Sequence, residues 1–252
     1  GEIVSAAGDP ATLIELGSGS AAKTRVLLDA MRDAGCLDAY VPVDISEEIT
    51  RQTAGAIASE DAITVHVLVC DFARDLERMP LGGPRVIALL GGTVGNFEPA
   101  QRASFLARVA NLLGDDDHFL LGTDLVKDRA TLEAAYNDSA GVTAEFNKNV
   151  LAVVNRDLGA DFDLDSFDHV ALWDREAEWI EMRLRARRPM TVRIGDLDLE
   201  VSFEAEEEMR SEVAAKFRRE GVERELAAAG CALREWWTDS AGRFGLSLAV
   251  PV

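Results

Sequence analysis

The stretch "LIELGSGSAAKTRVLLDAM", Leu13–Met31, contains the first strand, turn and helix that the sequence predicts. An apolar run ends in an acidic residue, a glycine-rich turn follows, and the next residues have the apolar spacing of a helix. Gly17, Gly19 and Ala22 satisfy the pattern G-x-G-x-x-G/A, which in doubly wound α/β proteins connects a strand to a helix beside a bound cofactor. The stretch therefore predicts a strand, turn and helix with a candidate cofactor site.

The same alternation of strands and helices continues along the chain. Strand-like runs lie at 12–16, 40–43, 64–69 and 86–90, helices are expected from about Ser20, from about Ser46 and over 99–113, and another strand begins at His118. Strands that alternate with helices form a parallel sheet. We expect five parallel strands before Asp124.

The alternation stops after Asp124. A helix is expected over 141–158, and antiparallel strands over 168–174, 178–195 and 196–203; a helix over 220–229 then leads to a terminal hairpin of runs 231–239 and 243–250. A parallel sheet that closes on an antiparallel hairpin is typical of class I methyltransferases. We expect an α/β fold with this Rossmann-like sheet as a core over 1–124, an inserted α+β subdomain over 125–215, and a helix and hairpin over 216–252 that complete the sheet.

Composition excludes several classes of partner. The formal charge of −19, from 26 Lys plus Arg against 45 Asp plus Glu, repels phosphate backbones and anionic membrane surfaces. Three widely spaced cysteines without a CxxC pair predict reduced thiols and no metal site. No apolar run approaches the roughly 20 residues that span a bilayer, and the first residues lack the features of a signal peptide. We expect a cytoplasmic monomer that acts on a small molecule.

Acidic residues at successive strand ends narrow the choice of cofactor. Glu15, just before the glycine turn, would repel a pyrophosphate but attract a cation, and S-adenosylmethionine carries a sulfonium, an ammonium and no phosphate. Asp44 is placed to bind ribose hydroxyls, and Asp71 with Phe72 offers an acceptor and an aromatic face to adenine. Lys23 is equally well explained as a solvated helix residue or as a partner of the cofactor carboxylate. The candidate cofactor-binding residues are Glu15, Gly17, Ser18, Gly19, Lys23, Asp44, Asp71, Phe72 and Gly91.

The loop "LLGGTVGNFEP" after the fourth strand is a candidate site for a second ligand. Gly91 and Gly92 let the backbone approach a ligand closely, and Asn96 offers a donor and an acceptor to an α-amino acid. Thr93 is a further candidate substrate-binding residue. The alternative is an irregular surface loop followed by a helix cap.

The segments "LIELGSGSAAKTRVLLDAMRDA", "GGTVGNF", "LLGTDLVKD", "EEEMRSEVAAKF" and "WWTDSAGRFGLSLAV" together resemble the actinobacterial histidine N-α-methyltransferase family of ergothioneine biosynthesis. The resemblance covers essentially the whole chain. It implies a class I enzyme that makes Nα,Nα,Nα-trimethylhistidine, or hercynine, from L-histidine and three molecules of S-adenosylmethionine. It also implies that the inserted block is a substrate-recognition subdomain.

The family's residue roles transfer onto matching positions of this chain. The resemblance implies that Gly17, Lys23, Asp44, Asp71 and Phe72 bind the methyl donor. It implies the following histidine-binding residues: Asn96 and Tyr136, which hold the amino and carboxylate groups and are the candidate catalytic residues, Thr143 and Met182, which line the pocket, and Glu212, which accepts an imidazole N–H. Without the resemblance, Tyr136 and Met182 would be packing residues and Glu212 a solvated acid.

Two departures from the family bear on the substrate. Ala214 stands where the family has a serine that contacts the imidazole, and one lost hydrogen bond costs roughly 0.5–1.5 kcal/mol. The family also has an N-terminal segment whose tyrosines close over the amino acid, and this chain begins after it, so we expect it to keep donor binding and to bind histidine poorly. Three alternatives stay open: a methyltransferase for another amino acid or imidazole compound, a nicotinamide-dependent oxidoreductase, and a cofactor-binding module without turnover.

Overall fold

A computed structural model describes residues 1–60, 63–80 and 82–252. The chain forms two compact units, a core unit of residues 1–125 and 217–252 and an inserted unit of residues 126–216. The helices and strands of the core unit are α1 (Glu2–Ala6), β1 (Thr12–Leu16), α2 (Arg25–Asp33), β2 (Ala39–Asp44), α3 (Glu47–Glu60), β3 (Thr64–Val65), β4 (Leu68–Val69), β5 (Arg85–Leu89), α4 (Pro99–Ala110), β6 (His118–Asp124), α7 (Arg219–Ala228), β12 (Cys231–Thr238) and β13 (Phe244–Pro251).

The core unit is built on one twisted sheet. Its strand order is β12-β13-β6-β5-β1-β2-β3, and β4 also pairs with β2. Strands β1 to β6 pair in parallel, whereas β13 runs antiparallel to both of its neighbours. All five residues of β5 are buried, as a central strand covered on both faces requires. The predicted parallel sheet with a terminal antiparallel hairpin is confirmed.

Local backbone geometry corrects three predicted boundaries. The helix after the glycine turn begins at Arg25 rather than near Ser20, because Gly19 and Ala21 have φ of +46° and +50°, which a right-handed helix does not allow. The predicted strand over 64–69 consists of the two short strands β3 and β4, separated by residues 66 and 67. The helix predicted over 99–113 ends at Ala110.

The inserted unit contains two helices and two small antiparallel sheets. Its elements are α5 (Arg129–Tyr136), α6 (Val142–Leu158), β7 (Phe167–Asp174), β8 (Trp179–Ala186), β9 (Met190–Ile194), β10 (Leu199–Phe203) and β11 (Glu208–Ala215). One sheet has the order β11-β8-β7 and the other pairs β10 with β9. Gly141 and Gly159, both left-handed, bound helix α6.

Sequence patterns missed parts of this unit. The run over 178–195 is two strands, β8 and β9, rather than one, and neither α5 nor β11 was predicted. Strand β11 is rich in charged residues, and a register shift between Arg210 and Glu212 interrupts its alternation. A broken alternation of period two gives no strand signal.

A buried ion pair joins the start of β5 to the residue before β6. The side chains of Arg85 and Asp117 are each 3% exposed. Arg85 Nε lies 3.0 and 3.1 Å from the two carboxylate oxygens, and the backbone N–H groups of Arg85 and Gly114 donate to the same carboxylate at 2.9 and 2.8 Å. Burial by itself raises the pKa of Asp117, but the hydrogen bonds from Arg85 and Gly114 outweigh it, so the pKa lies below its usual value.

We predict that Arg85→Met lowers the free energy of unfolding by about 3–5 kcal/mol, because it leaves the Asp117 carboxylate buried without its cation. Arg51→Met, which removes an exposed pair with Glu47 on α3, should cost less than about 1 kcal/mol. Urea unfolding at neutral pH measures both. A lowered carboxyl pKa stabilises the fold above the unfolded-state pKa, so the Arg85→Met deficit should shrink below about pH 4. Equal small losses for the two variants would contradict the role given to the buried pair.

Candidate functional site

The glycine turn is held against the ends of two neighbouring strands. Gly17 has a φ of +70°, and the backbone N–H groups of Gly17 and Ser18 donate to the carbonyl of Val43 at 2.8 and 3.1 Å. The N–H of Gly19 donates to Asp44 Oδ2 at 2.9 Å. These bonds bring the turn and the Asp44 carboxylate together at the carboxyl edge of the sheet, where ligands of open α/β sheets bind.

Phe72 lies directly against this turn. A Cβ atom added at Gly17 would lie 3.4 Å from Phe72 Cε1. Asp71, the residue before it, accepts a hydrogen bond from the N–H of Ala73 at 2.9 Å and pairs with Arg74 at 3.4 Å. The structure therefore groups Gly17, Asp44 and Phe72, as sequence analysis expected, with Asp71 adjacent in the chain.

The Glu15 side chain connects β1 to β2 and to the start of α2 by hydrogen bonds. Its side chain is buried, its Oε2 accepts from the hydroxyl of Tyr40 at 2.6 Å, and its Oε1 accepts from the hydroxyl of Thr24. Burial raises the pKa of Glu15, and the hydrogen bonds from Thr24 and Tyr40 only partly offset that effect. Both oxygens thus already bind the protein, a structural role that the sequence did not reveal.

Lys23 reaches across to the loop after β5. Its Nζ lies 3.5 Å from the position of a Cβ atom added at Gly91, whose φ is +83°. The backbone of Gly91 also packs closely against β6. A Cβ atom added at Gly122 of that strand would lie only 3.1 Å from the backbone N and O of Gly91. Gly122 therefore allows this close approach, and sequence analysis missed it among the strand residues of β6.

A cavity of about 190 Å³ opens at the turn. Its lining is Glu15, Gly17, Ser18, Ser20, Ala21, Ala22, Lys23 and Leu90. Within the described chain, the buried hydroxyl of Ser18 has no hydrogen-bond partner, so it is available to a ligand. A groove of about 730 Å³ shares Lys23 and Leu90 with the cavity. Beside the cavity, the Asp44 carboxylate and the Phe72 ring lie against the same turn, and together with the Ser18 hydroxyl they fit a cationic adenosyl ligand better than a pyrophosphate.

Asn96 and Thr93 belong to a 3₁₀ turn, Thr93–Asn96, that follows β5. Both side chains are exposed, whereas Val94 and Gly95 are buried and anchor the turn. Helix α4 begins just beyond it with a capping box formed by Glu98 and Gln101. The loop therefore forms a 3₁₀ turn followed by a helix cap, and it presents Asn96 on its surface.

Several predicted substrate residues share one face of the β11-β8-β7 sheet. Met182, Ile180 and Ala214 pack with Leu132 of α5, and Tyr136 at the end of α5 packs against this cluster. Met182 and Ala214 are 2% and 5% exposed. The inserted unit thus brings Tyr136, Met182 and Ala214 together, although they lie far apart in the sequence.

A β-bulge puts Glu212 on the same face. Arg210 pairs with Arg183, but the next paired residue is Glu212, which lies opposite Met182. Directly paired residues of antiparallel strands point to the same side, so the extra residue, Ser211, moves Glu212 to the side of Met182. Without the bulge, Glu212 would pair with Glu181 and point to the opposite face.

A polar hydrogen-bonded chain lies beside this cluster on the same face of the sheet. Asn147 of α6 is 3% exposed; its Nδ2 lies 2.9 Å from His169 Nδ1 and donates to the carbonyl of Arg183 at 3.0 Å. His169 Nε2 lies 2.8 Å from the carbonyl oxygen of Tyr136. Because Nδ1 faces an amide donor, Nε2 carries the ring proton and donates to Tyr136. Ser211 completes the chain, since its hydroxyl contacts Asn147 Oδ1 and also lies 2.9 Å from the carbonyl oxygen of Met182.

Thr143 lies in the first turn of α6. Its N–H donates to Asp138 at 2.8 Å, and together with its side chain and the N–H of Val142 it lowers the pKa of Asp138 to about 2. Thr143 therefore stabilises the start of the helix.

Sequence analysis missed the supporting residues Tyr40, Thr24, Asn147, His169, Ser211 and Lys216. One signal was available for Lys216, a cation at the end of the apolar run "VAAK". It is 5% exposed, and a lysine that is buried so fully requires partners.

Other chemistry is limited in the described part of the chain. Cys36, Cys70 and Cys231 are unpaired thiols, as predicted. Among the described residues, no cluster of three or more His, Cys, Asp or Glu side chains has the arrangement of a metal site. No helix among them has the length and hydropathy needed to cross a bilayer.

The sheet order, the antiparallel β13 and the acidic residues at successive strand ends define a class I S-adenosylmethionine-dependent methyltransferase. A methyltransferase from Clostridium acetobutylicum described as S-adenosylmethionine-dependent has the same fold, with a TM-score of 0.53 and 11% identity over 95% of this chain and 83% of its own. The family described as histidine-specific, S-adenosylmethionine-dependent methyltransferase matches residues 1–251, and this chain belongs to it.

Two relatives agree with the family. Histidine N-alpha-methyltransferase of Mycolicibacterium smegmatis is 54% identical over 99% of this chain and 78% of its own length. Ergothioneine biosynthesis protein 1 of Neurospora crassa is 35% identical over 59% of this chain and 18% of its own. Family membership confirms S-adenosylmethionine as the cofactor and excludes the nicotinamide-dependent oxidoreductase that the glycine motif alone allowed.

We predict that Asp44→Ala weakens binding of S-adenosylhomocysteine about tenfold or more, because it removes a ligand acceptor and also the acceptor for the N–H of Gly19. Asp71→Ala should weaken it less, since only the polar partner of the adenosine is lost. Calorimetric titration measures both, with Asp29→Ala on the exposed side of α2 as the control. Unchanged affinity in both variants would remove these carboxylates from the cofactor site.

Proposed function

We propose that this enzyme converts L-histidine to Nα,Nα,Nα-trimethylhistidine by three successive N-methylations, in ergothioneine biosynthesis. The observation that carries the proposal is the histidine-specific family match over residues 1–251. The names of the bacterial and fungal relatives support the position of the nitrogen and the pathway. The unpaired cysteines and the net charge of −19 support a cytoplasmic enzyme that acts as a monomer on free histidine.

In this proposal the cofactor contacts are made in the core unit. Gly17, Ser18, Gly19, Lys23 and Gly91 line the methyl-donor site with Glu15, Asp44, Asp71 and Phe72. The Ser18 hydroxyl and Lys23 serve the amino-acid end of the donor, and Asp44, Asp71 and Phe72 serve its adenosine. The bound cofactor supplies an electrophilic methyl group. The Ser18 hydroxyl, which has no hydrogen-bond partner among the described residues, and the Asp44 and Asp71 carboxylates beyond β2 and β4 support this division.

Six residues are proposed to bind histidine, each with one task. Asn96 and Tyr136 bind its amino and carboxylate groups, and Thr93 and Thr143 are further candidate contacts. Glu212 accepts an imidazole N–H while Met182 covers the ring. Grouping of Tyr136, Met182 and Glu212 on one sheet face supports the assignment of these three. Thr143 has weaker support, because it is already bound to Asp138.

Positioning is the main catalytic requirement of this reaction. The amine must lose its proton and present its lone pair in line with the methyl group, and a hydrogen-bonding Asn and Tyr suffice to orient it. Holding the carboxylate and the imidazole at fixed points leaves the nitrogen free to turn. The same residues then serve the first, second and third additions.

The proposal is tested by mass spectrometry of products formed from L-histidine and S-adenosylmethionine. We expect mono-, di- and trimethylated histidine to appear in sequence, with the trimethylated form accumulating and the imidazole unmodified. Parallel reactions with tryptophan, phenylalanine and histamine test the alternative that Ala214 has changed the substrate. Faster turnover of any of these, or methylation on the ring, would contradict the proposed function.

We predict that Glu212→Ala weakens histidine binding by about one to two orders of magnitude and leaves S-adenosylhomocysteine binding within about twofold. A charge-assisted bond to the imidazole contributes roughly 1.5–3 kcal/mol, and its loss leaves a ring N–H unpaired. Glu208→Ala, on the same strand but in an ion-pair network with Arg183 and Arg185, is the matched control. Equal losses for histidine and for S-adenosylhomocysteine would mark Glu212 as structural.

A further inference from the structure

A buried lysine contacts the aromatic residue of the proposed histidine site. Lys216 follows β11 directly, and it is 5% exposed. Its Nζ lies 2.8 Å from the hydroxyl oxygen of Tyr136 and 4.7 Å from the centre of the Tyr136 ring. Lys216 is two residues beyond Ala214 on the same face, so its approach to Tyr136 follows from the strand alternation.

This contact determines what the Tyr136 hydroxyl can do. An ammonium has only donors, so the phenolic oxygen must accept from Lys216 and its own hydrogen must point to another acceptor. The backbone of Tyr136 is fixed as well, because its carbonyl accepts from His169 Nε2 at 2.8 Å. Tyr136 is therefore held at both ends with its hydroxyl proton available as a donor.

The charge of Lys216 adds a preference of sign. A cation beside the hydroxyl attracts an anionic group and repels an ammonium, and both effects are stronger where water is excluded. Histidine carries one group of each sign on its α-carbon. The carboxylate is the one that both accepts a hydrogen bond from Tyr136 and benefits from the nearby cation.

We propose that Lys216 is a positioning residue that orients the Tyr136 hydroxyl toward the substrate α-carboxylate and makes the site selective for an α-amino acid. This inference rests on the proposed function, in which Tyr136 contacts histidine. In this assignment, Asn96 binds the amino group of histidine. The role of Lys216 is exerted through Tyr136 rather than through direct contact with the reacting nitrogen.

The test compares L-histidine with L-histidinamide, in which a neutral amide replaces the carboxylate. Calorimetric titrations at saturating S-adenosylhomocysteine give dissociation constants for the wild type, Lys216→Met and Lys216→Gln. Gln retains a donor for the Tyr136 oxygen without the charge. Lys148→Met, the same substitution on α6, is the control, and thermal unfolding checks that each variant is folded.

We expect Lys216→Met to weaken histidine binding about tenfold or more and histidinamide binding by no more than about twofold, with Lys216→Gln intermediate for histidine. Tyr136→Phe should remove most of the same selectivity, and the double variant Tyr136→Phe/Lys216→Met should lose little more than Tyr136→Phe alone, because the two residues act as a unit. The kcat at saturating histidine should change less than KM.

Several results would overturn the assignment. Equal losses for both ligands would make Lys216 a structural residue, and unchanged histidine affinity in Lys216→Gln would remove its charge from recognition. Additive losses in the double variant would show that Lys216 does not act through Tyr136. If the wild type binds S-adenosylhomocysteine but neither ligand even at the highest ligand concentrations that the titration allows, the proposed function itself fails and the assignment of Lys216 fails with it.

Discussion

The buried carboxylate of Glu15 is the constraint on which the cofactor end of this molecule depends. It lies at the end of a central strand and accepts hydrogen bonds from Tyr40 on the next strand and from Thr24 at the start of α2. A buried carboxylate without partners costs several kcal/mol, so strand, turn and helix must adopt the one arrangement that satisfies it. The turn that joins the strand to the helix has positive φ values at Gly17, Gly19 and Ala21. Asp44 then meets the turn because β2 is already held by Tyr40.

The inserted unit has a comparable constraint in the bulge at Ser211. One extra residue reverses which side chains of the strand face α5, and it separates Glu212 from the charged face formed by Glu181 and Arg183. Asn147 and the hydroxyl of Ser211 satisfy polar groups near the bulge. Buried polar networks of this kind specify a single register, because any slip would leave several donors and acceptors unpaired. The residue that lies opposite Met182 is thus determined by hydrogen bonds of Asn147 and Ser211.

The contrast between the two units explains what sequence analysis could predict. Glu15, Asp44 and Asp71 each follow a short apolar run, and parallel strands bring their ends to one edge, so local pattern and topology were enough to place them. No local pattern places Lys216 beside Tyr136, which are 80 residues apart. Strand β11 was not predicted for the same reason. Its pairing with β8 and its β-bulge depend on residues that are distant in the sequence. The family resemblance predicted Tyr136, Met182 and Glu212 as site residues. It did not predict Lys216, His169 and Asn147, which hold those site residues in place.

Electrostatics connects the two proposed ligand sites. A chain with a charge of −19 attracts a cationic methyl donor at long range, yet that field opposes the carboxylate that the donor and histidine each carry. Local cations must therefore offset it at short range. Lys23 near Gly91 is placed to do so in the core unit, and Lys216 beside Tyr136 in the inserted unit. The two lysines differ in exposure, because Lys23 lies at the surface whereas Lys216 is buried. A buried ammonium is screened less by salt than an exposed one, so discrimination by charge should be greater for the amino acid than for the donor.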